Sequence, residues 1–278
     1  LGISDPHSGF VLGLTNPETT LPDGHGVEKP IPELNESQKF VWDVYSNGLS
    51  ETEKLADGDP IHVFVMGDVT HGNKHISQQV STRLSDQPII SSWALSPAMR
   101  LKNVKSSRIF LGTASHSFGE GSSEILVTAL LRERFPKINF RALYHGLESI
   151  DGFRIDAAHH GPHPGVRNWT KGNVARLALQ SSMMSELDGG NIPPDMYIRG
   201  HYHDFIRVWH GLNRMGSWYQ SWMVIMPPLC LPGDWTIQAT QSIPRVTAGI
   251  VSYEIVNGKL LDIYPFTETV DLRTHEEL

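Results

Sequence analysis

The sequence predicts a mixed α/β chain with helices early and sheet late. Two observations carry this. Short, turn-bounded apolar runs alternate with helical patterns through the first two thirds of the chain, as expected of layered α/β packing. From Phe205 onward the pattern changes to strands and turns.

In chain order, Leu1 to Ser4 reads as a buried strand already under way, and a start at Leu1 rather than Met leads us to expect a missing or processed natural N-terminus. Gly9 to Leu34 is rich in Gly and Pro, lacks a clear period, and is expected to be a long connection. Ser37 to Leu55 has helical periodicity behind an Asn35 cap. Strands follow at His62 to Met66 and Arg108 to Leu111, then a helix at Glu124 to Arg134 after Ser122 and Ser123. Phe153 to Ala157 is a strand, Val166 to Leu187 a helix, and Met196 to Ile198 a strand. Phe205 to Trp209 and Trp218 to Ile225 are strands, the latter expected to supply core Trp and Met, with a base-stacking platform as the minor alternative. Asn257-Gly258 marks a hairpin between Ile250 to Ile255 and Leu260 to Tyr264. Thr267 to Leu278 is polar and is expected to be a solvated end. With no internal repeat and no announced boundary, residues 1–278 are expected to form a single domain.

Composition narrows the function. No apolar run approaches the roughly 20 residues that span a bilayer, so no membrane role is expected. The single cysteine, Cys230, excludes an intrachain disulfide and suits a reducing compartment, so a cytoplasmic location is expected. The triplets Asn35-Glu36-Ser37 and Asn168-Trp169-Thr170 match the glycosylation pattern by chance on this reading. A net charge of -7 argues against indiscriminate coating of nucleic acid. The 14 histidines stand out, since imidazole is the commonest transition-metal ligand and transfers protons near neutral pH.

Seven of the histidines fall into polar clusters at the ends of apolar runs: Asp5-Pro6-His7, Gly67-Asp68-Val69-Thr70-His71, Gly112-Thr113-Ala114-Ser115-His116, His159-His160-Gly161 and Gly200-His201-Tyr202-His203; His75, His145, His163 and His210 are expected to be ordinary surface or packed histidines. Residues that follow strands of an open α/β sheet converge on one crevice, so distant clusters can build one metal site. Asp5/His7 and His201/His203 have period-2 spacing, which in an extended strand places each pair on one face. A lone histidine in a loop is more often solvated or packed than ligating; five such clusters, each at a strand end, are a different matter.

This series resembles the calcineurin-like metallophosphoesterase superfamily, whose pattern is Asp-x-His, Gly-Asp-x-x-Asp, Gly-Asn-His, a later His, and Gly-His-x-His. The resemblance runs from Asp5 to His203. It implies a four-layer αββα sandwich, two mixed sheets face to face between helices. It implies two divalent metal ions: Asp5, His7, Asp68 and His203 on the first, His159 and His201 on the second, and Asp68 bridging. Manganese is favoured, with iron or zinc as alternatives, because mixed carboxylate and imidazole ligands admit all three. Two such ions, roughly 3.5 to 4 Å apart, activate a bridging water for in-line attack on a phosphate ester.

Two departures matter. The Gly-Asn-His segment is Gly112 to His116 here, without the Asn ligand; His116 is expected to protonate the leaving oxygen, or else to move in as the missing ligand. His71 stands where the family has Asp and is similar to the corresponding residue of SbcD-type nucleases, where it assists phosphate handling. The stretches around His116 and His159-His160-Gly161-Pro162 also resemble phage and prophage phosphoesterases. His160 and Arg167 are assigned to substrate binding, with Lys171 and Arg199 as weaker candidates. The expected activity is therefore a metal-dependent phosphodiesterase, with a DNA or RNA nuclease among its forms and single- or double-stranded nucleic acid as the matching partner. A phosphomonoesterase, a hydrolase of another bond such as an amide, and a metal-bound scaffold are the alternatives.

Overall fold

The computed structural model describes residues 1–74, 76–118, 122–163, 170–233, 237 and 244–273. The chain runs through β1 (Gly2–Ile3), β2 (Thr20–Pro22), β3 (Glu28–Pro30), α1 (Glu36–Ala56), β4 (Ile61–Val65), α2 (Asp86–Arg100), β5 (Val104–Phe110) and α3 (Ser122–Arg134). It continues through β6 (Asn139–Leu143), β7 (His145–Ile150), β8 (Phe153–Ala158), α4 (Asn173–Asp188), β9 (Met196–Arg199), β10 (Ile206–Arg214), β11 (Ser217–Ile225), β12 (Arg245–Val256) and β13 (Lys259–Asp271).

Two mixed sheets result. The first has the order β13-β12-β1-β4-β5-β6, with β1, β4, β5 and β6 parallel; the second has β10-β11-β9-β8-β7, with β8, β9 and β11 parallel. Three apolar layers define the packing. Val41, Tyr45 and Leu49 of α1, Ala94 and Leu95 of α2 and Val127 and Leu131 of α3 pack on Ile3, Val63, Val65 and Ile109 of the first sheet. Phe64, Met66, Phe110, Ile155, Ile198, Val224 and Val251 fill the space between the sheets. Ala175, Leu179 and Met183 of α4 cover Tyr197, Met223 and Ile225 on the far side of the second sheet. The architecture is the expected αββα sandwich. Strand β4 shows why: Val63 and Val65 face the helices while Phe64 and Met66 face the other sheet, so both faces of the strand are buried and it reads as a continuous apolar run.

Helix α1 starts where the sequence places it. The Asn35 side chain accepts from Gln38 N–H at 2.9 Å, and the Gln38 side chain accepts from Asn35 N–H at 3.2 Å, a reciprocal capping box. Asn35→Ala is expected to cost about 1 kcal/mol in urea unfolding, by orphaning a first-turn amide.

Four expectations change. Gly9 to Leu34 is not structureless, since β2 and β3 form a small hairpin within it. α2 was not legible, because Pro88 and Pro97 and three serines break its helical pattern; Ser91 and Ser96 turn inward onto the carbonyls of Val69 and Ser92. α4 begins at Asn173 behind Gly172, while 164–169 lie outside the described residues. Thr267 to Asp271 are not a solvated end but complete β13, paired to β12 as far as Asp271 with Arg245; 274–278 lie outside the described residues. The Asn257-Gly258 turn is as expected, with φ of 51° and 71°. No described helix is long and apolar enough to cross a membrane.

Candidate metal centre

The polar clusters all follow strands. Asp5 and His7 lie after β1, Asp68 after β4, Thr113 and His116 after β5, His159 and His160 after β8, and His201 and His203 after β9. Loop-to-loop backbone bonds bring them together: His7 N–H donates to Asp68 O at 3.0 Å, Gly200 N–H to His159 O at 2.9 Å, and Leu229 N–H to Ser4 O at 3.0 Å.

The loops are not extended. Asp5, His7, Asp68, His201 and His203 all have positive φ, between 41° and 74°. Each of these backbones sits in a region that non-glycine residues rarely adopt, at a cost of order 1–3 kcal/mol, and the surrounding hydrogen bonds hold it there. The period-2 reading of Asp5/His7 and His201/His203 is therefore corrected: the pairs converge because the backbone hooks, not because a strand alternates. Gly112 makes room. A Cβ there would collide with the carboxylate and backbone nitrogen of Asp68. Gly112→Ala is expected to cost about 2 kcal/mol of stability through overpacking and to weaken divalent-ion binding by about 10- to 100-fold, checked by urea unfolding and calorimetric titration.

Two groups of donors face each other across Asp68. On one side His203 Nε2 stands 3.3 Å from Asp5 Oδ1 and 3.3 Å from His7 Nε2, and His7 Nε2 is 3.9 Å from Asp5 Oδ1. On the other, His159 Nε2 is 3.2 Å from Asp68 Oδ2, and the His159 and His201 rings are 5.2 Å apart. Asp5, His7 and Asp68 form one potential ion-holding group, and His159, His160 and His201 another.

The hydrogen bonding fits metal ions. Asp5 Oδ2 accepts from the Ser4 hydroxyl and, at 3.1 Å, from His201 N–H, while Asp5 Oδ1 is buried without a hydrogen-bond partner. His159 Nδ1 is held by Met66 O, leaving the buried Nε2 without one. Asp68 Oδ1 accepts from Thr113 N–H at 2.6 Å, and the Thr113 hydroxyl lies within 3.2 Å of both Asp68 oxygens. Asp5 and His159 thus each have one atom anchored and another directed at the gap, while Thr113 engages both oxygens of Asp68 and sets the orientation of that carboxylate, as the outer partners of metal ligands do.

Electrostatics agree. Burial disfavours charge on Asp5 and Asp68, yet His203 beside the first and His159 beside the second hold both carboxyls well below the usual range. Burial lowers His159, but the Asp68 carboxylate outweighs it and raises the ring to about 9. Burial and the His159 charge lower His201 to about 4. At neutral pH His159 therefore keeps its second proton, and an ion entering the site must displace it before Nε2 offers a lone pair.

His116 lies on the side of His7, with ring centroids 4.3 Å apart, and its Nδ1 faces His71 O at 2.9 Å. It does not join the group of His159 and His201. His71 stacks on Phe10 with centroids 4.2 Å apart. A cavity of about 350 Å³ opens here, lined by His7, His71, Lys74, His116, His203 and Cys230 among others. His160 touches the rings of His159 and His201. Arg167 lies outside the described residues, as does His75. Lys171 pairs with Asp204 at 2.6 Å and Arg199 with Asp156 at 2.6 Å, so neither cation faces the centre unpaired as a phosphate holder. Of the Trp218 to Met226 segment, Met223 to Met226 are core, while Trp218 is exposed.

Several contributors have no sequence signal. Gln87 of α2 clamps the loop after His71, accepting from Gly72 N–H at 2.9 Å and donating to Gly72 O at 2.8 Å. Cys230 Sγ sits 3.8 Å from His203 Nδ1, behind the face that the ring turns to Asp5. Glu124 is fully buried in the first turn of α3, with neither carboxylate oxygen hydrogen-bonded.

No protein-family model matches the chain, and no curated protein matches it. Among solved structures, it is similar to a crystal structure of a metallophosphoesterase from Sphaerobacter thermophilus, at 12% identity and a TM-score of 0.27, over 74% of this chain and 79% of that one. The ligand geometry stands independently of that likeness.

Proposed function

We propose that the protein is a dinuclear metal-dependent phosphoesterase whose preferred substrate is a phosphodiester. One observation carries the reading: two groups of Asp and His side chains, each with a buried nitrogen or oxygen left without a hydrogen bond, meet at the shared carboxylate of Asp68. Asp5, His7, Asp68 and His203 would hold one ion, and Asp68, His159 and His201 the other. When bound, the pair of ions supplies positive charge for a phosphate and lowers the pKa of a water, providing the nucleophile.

The chain's own residues do the rest. Asp5 and Asp68 together bring two negative charges to a buried site, so two divalent ions leave it net positive and attractive to phosphate despite the overall -7. His116, with Nδ1 turned to His71 O, presents Nε2 as the atom from which a leaving oxygen takes its proton. His71 and Lys74, in the cavity wall, orient the non-reacting phosphate oxygens. Nucleic acid is the natural phosphodiester to test, with the negative net charge favouring short or single-stranded ends over a long duplex.

The test is hydrolysis of bis-p-nitrophenyl phosphate by metal-stripped protein, with and without manganese, iron or zinc, beside p-nitrophenyl phosphate and single-stranded DNA. Release from the diester that depends on manganese is expected. Release only from the monoester would make the protein a phosphomonoesterase, and binding of ions without release from any substrate would make it a scaffold.

A further inference from the structure

We infer that His160 is itself a metal ligand, closing the second centre as its third imidazole, rather than a substrate contact. The inference rests on the two-metal reading and deepens it. His159, His160 and His201 each offer a ring nitrogen, and these three atoms lie within 4.8 Å of one another. The rings form a closed triangle, with centroids 4.9 Å apart for His159 and His160, 4.8 Å for His160 and His201, and 5.2 Å for His159 and His201. Nitrogens bound to one ion at ~2.1 Å lie no more than ~4.2 Å apart, a separation that a small side-chain rotation of the exposed His160 ring reaches.

Elimination points the same way. His159, His201 and Asp68 would give the second centre three protein donors, and the two other candidates for a further donor are engaged elsewhere. The Thr113 hydroxyl is engaged with both oxygens of Asp68, and Thr113 N–H donates to one of them, so this residue braces the bridging carboxylate. His116 packs on His7, across Asp68, with its Nδ1 committed to His71 O. His160 alone is adjacent to both His159 and His201 among the described histidines, and its ring contacts are with these two.

The consequence is an asymmetric pair. The first centre has two carboxylates and two imidazoles; the second has three imidazoles and a shared carboxylate. A nitrogen-rich centre prefers borderline ions such as cobalt or zinc to hard ones such as magnesium.

The experiment measures bound ions rather than turnover. Wild type, His160→Ala and Asp68→Asn are stripped, dialysed against buffered cobalt, and assayed by elemental analysis and visible absorption, with melting of each stripped protein as a fold control. Two ions are expected for wild type and one for His160→Ala, with the second lost until cobalt is raised at least ~100-fold, and with the first centre's spectrum unchanged. His160→Ala holding two ions at unchanged affinity would overturn the assignment while leaving the two-metal reading intact. Wild type holding no ion, or Asp68→Asn holding two at unchanged affinity, would overturn that reading and this inference together.

Discussion

Asp68→Asn is expected to lower diester hydrolysis by at least ~10³-fold and to weaken ion binding at both centres, because one atom position serves both. The carboxylate is buried, with Oδ1 held by Thr113 and Oδ2 3.2 Å from His159 Nε2. Asparagine keeps the shape but removes the charge, and its amide must point N–H groups at one of these neighbours. Facing Thr113, it opposes one donor with another; facing the centre, it puts hydrogens where a lone pair belongs. His159 also loses the partner that raises its pKa to about 9, so its proton leaves at lower pH. Elemental analysis and the rate with bis-p-nitrophenyl phosphate check both halves. Turnover within tenfold of wild type would remove Asp68 from the bridging position.

How much of this was legible follows from what each residue does. Asp5, His7, Asp68, His159, His201 and His203 are legible because each lies just after a buried apolar run, and a strand's end fixes where the next residues go. Their conformations are not legible: positive φ at five of them depends on tertiary hydrogen bonds such as His7 N–H to Asp68 O, and local spacing favoured an extended reading. α2 was hidden for a related reason. Its serines and prolines have low helix propensity, but its buried face anchors Ala94 and Leu95 in the core and Gln87 against Gly72, and tertiary packing outweighs propensity there. The side of Asp68 on which His116 falls could not be read either, because nothing in the spacing of Gly112 to His116 says which way the loop turns. Cys230 is a plain apolar-run cysteine until the fold places it behind His203.

Glu124→Gln is expected to stabilise the metal-free protein by up to about 3 kcal/mol above pH 7 and by almost nothing below pH 4.5. Burial pushes the Glu124 carboxyl from 4.5 up to about 7, and the Asp68 charge adds to the rise. The sign follows from proton counting. Below 4.5 folded and unfolded chains both hold the proton, so the group favours neither. Between 4.5 and about 7 the unfolded chain has released it while the folded chain keeps it, and stability falls as pH rises. Above about 7 the folded carboxyl ionises too and the loss levels off, at about 3 kcal/mol for a rise of this size. Glutamine titrates in neither state, so the variant escapes the loss and gains on wild type across that window. Urea unfolding in chelator at pH 4.5 and pH 8 measures it: a gap present only at pH 8 is expected, whereas equal stabilities at both would mean that the ionised Glu124 finds compensation in the fold. An ion beside Asp68 offsets part of the negative charge that Glu124 meets, so adding manganese should narrow the gap at pH 8, linking a side chain buried at the base of α3 to the centre it underlies.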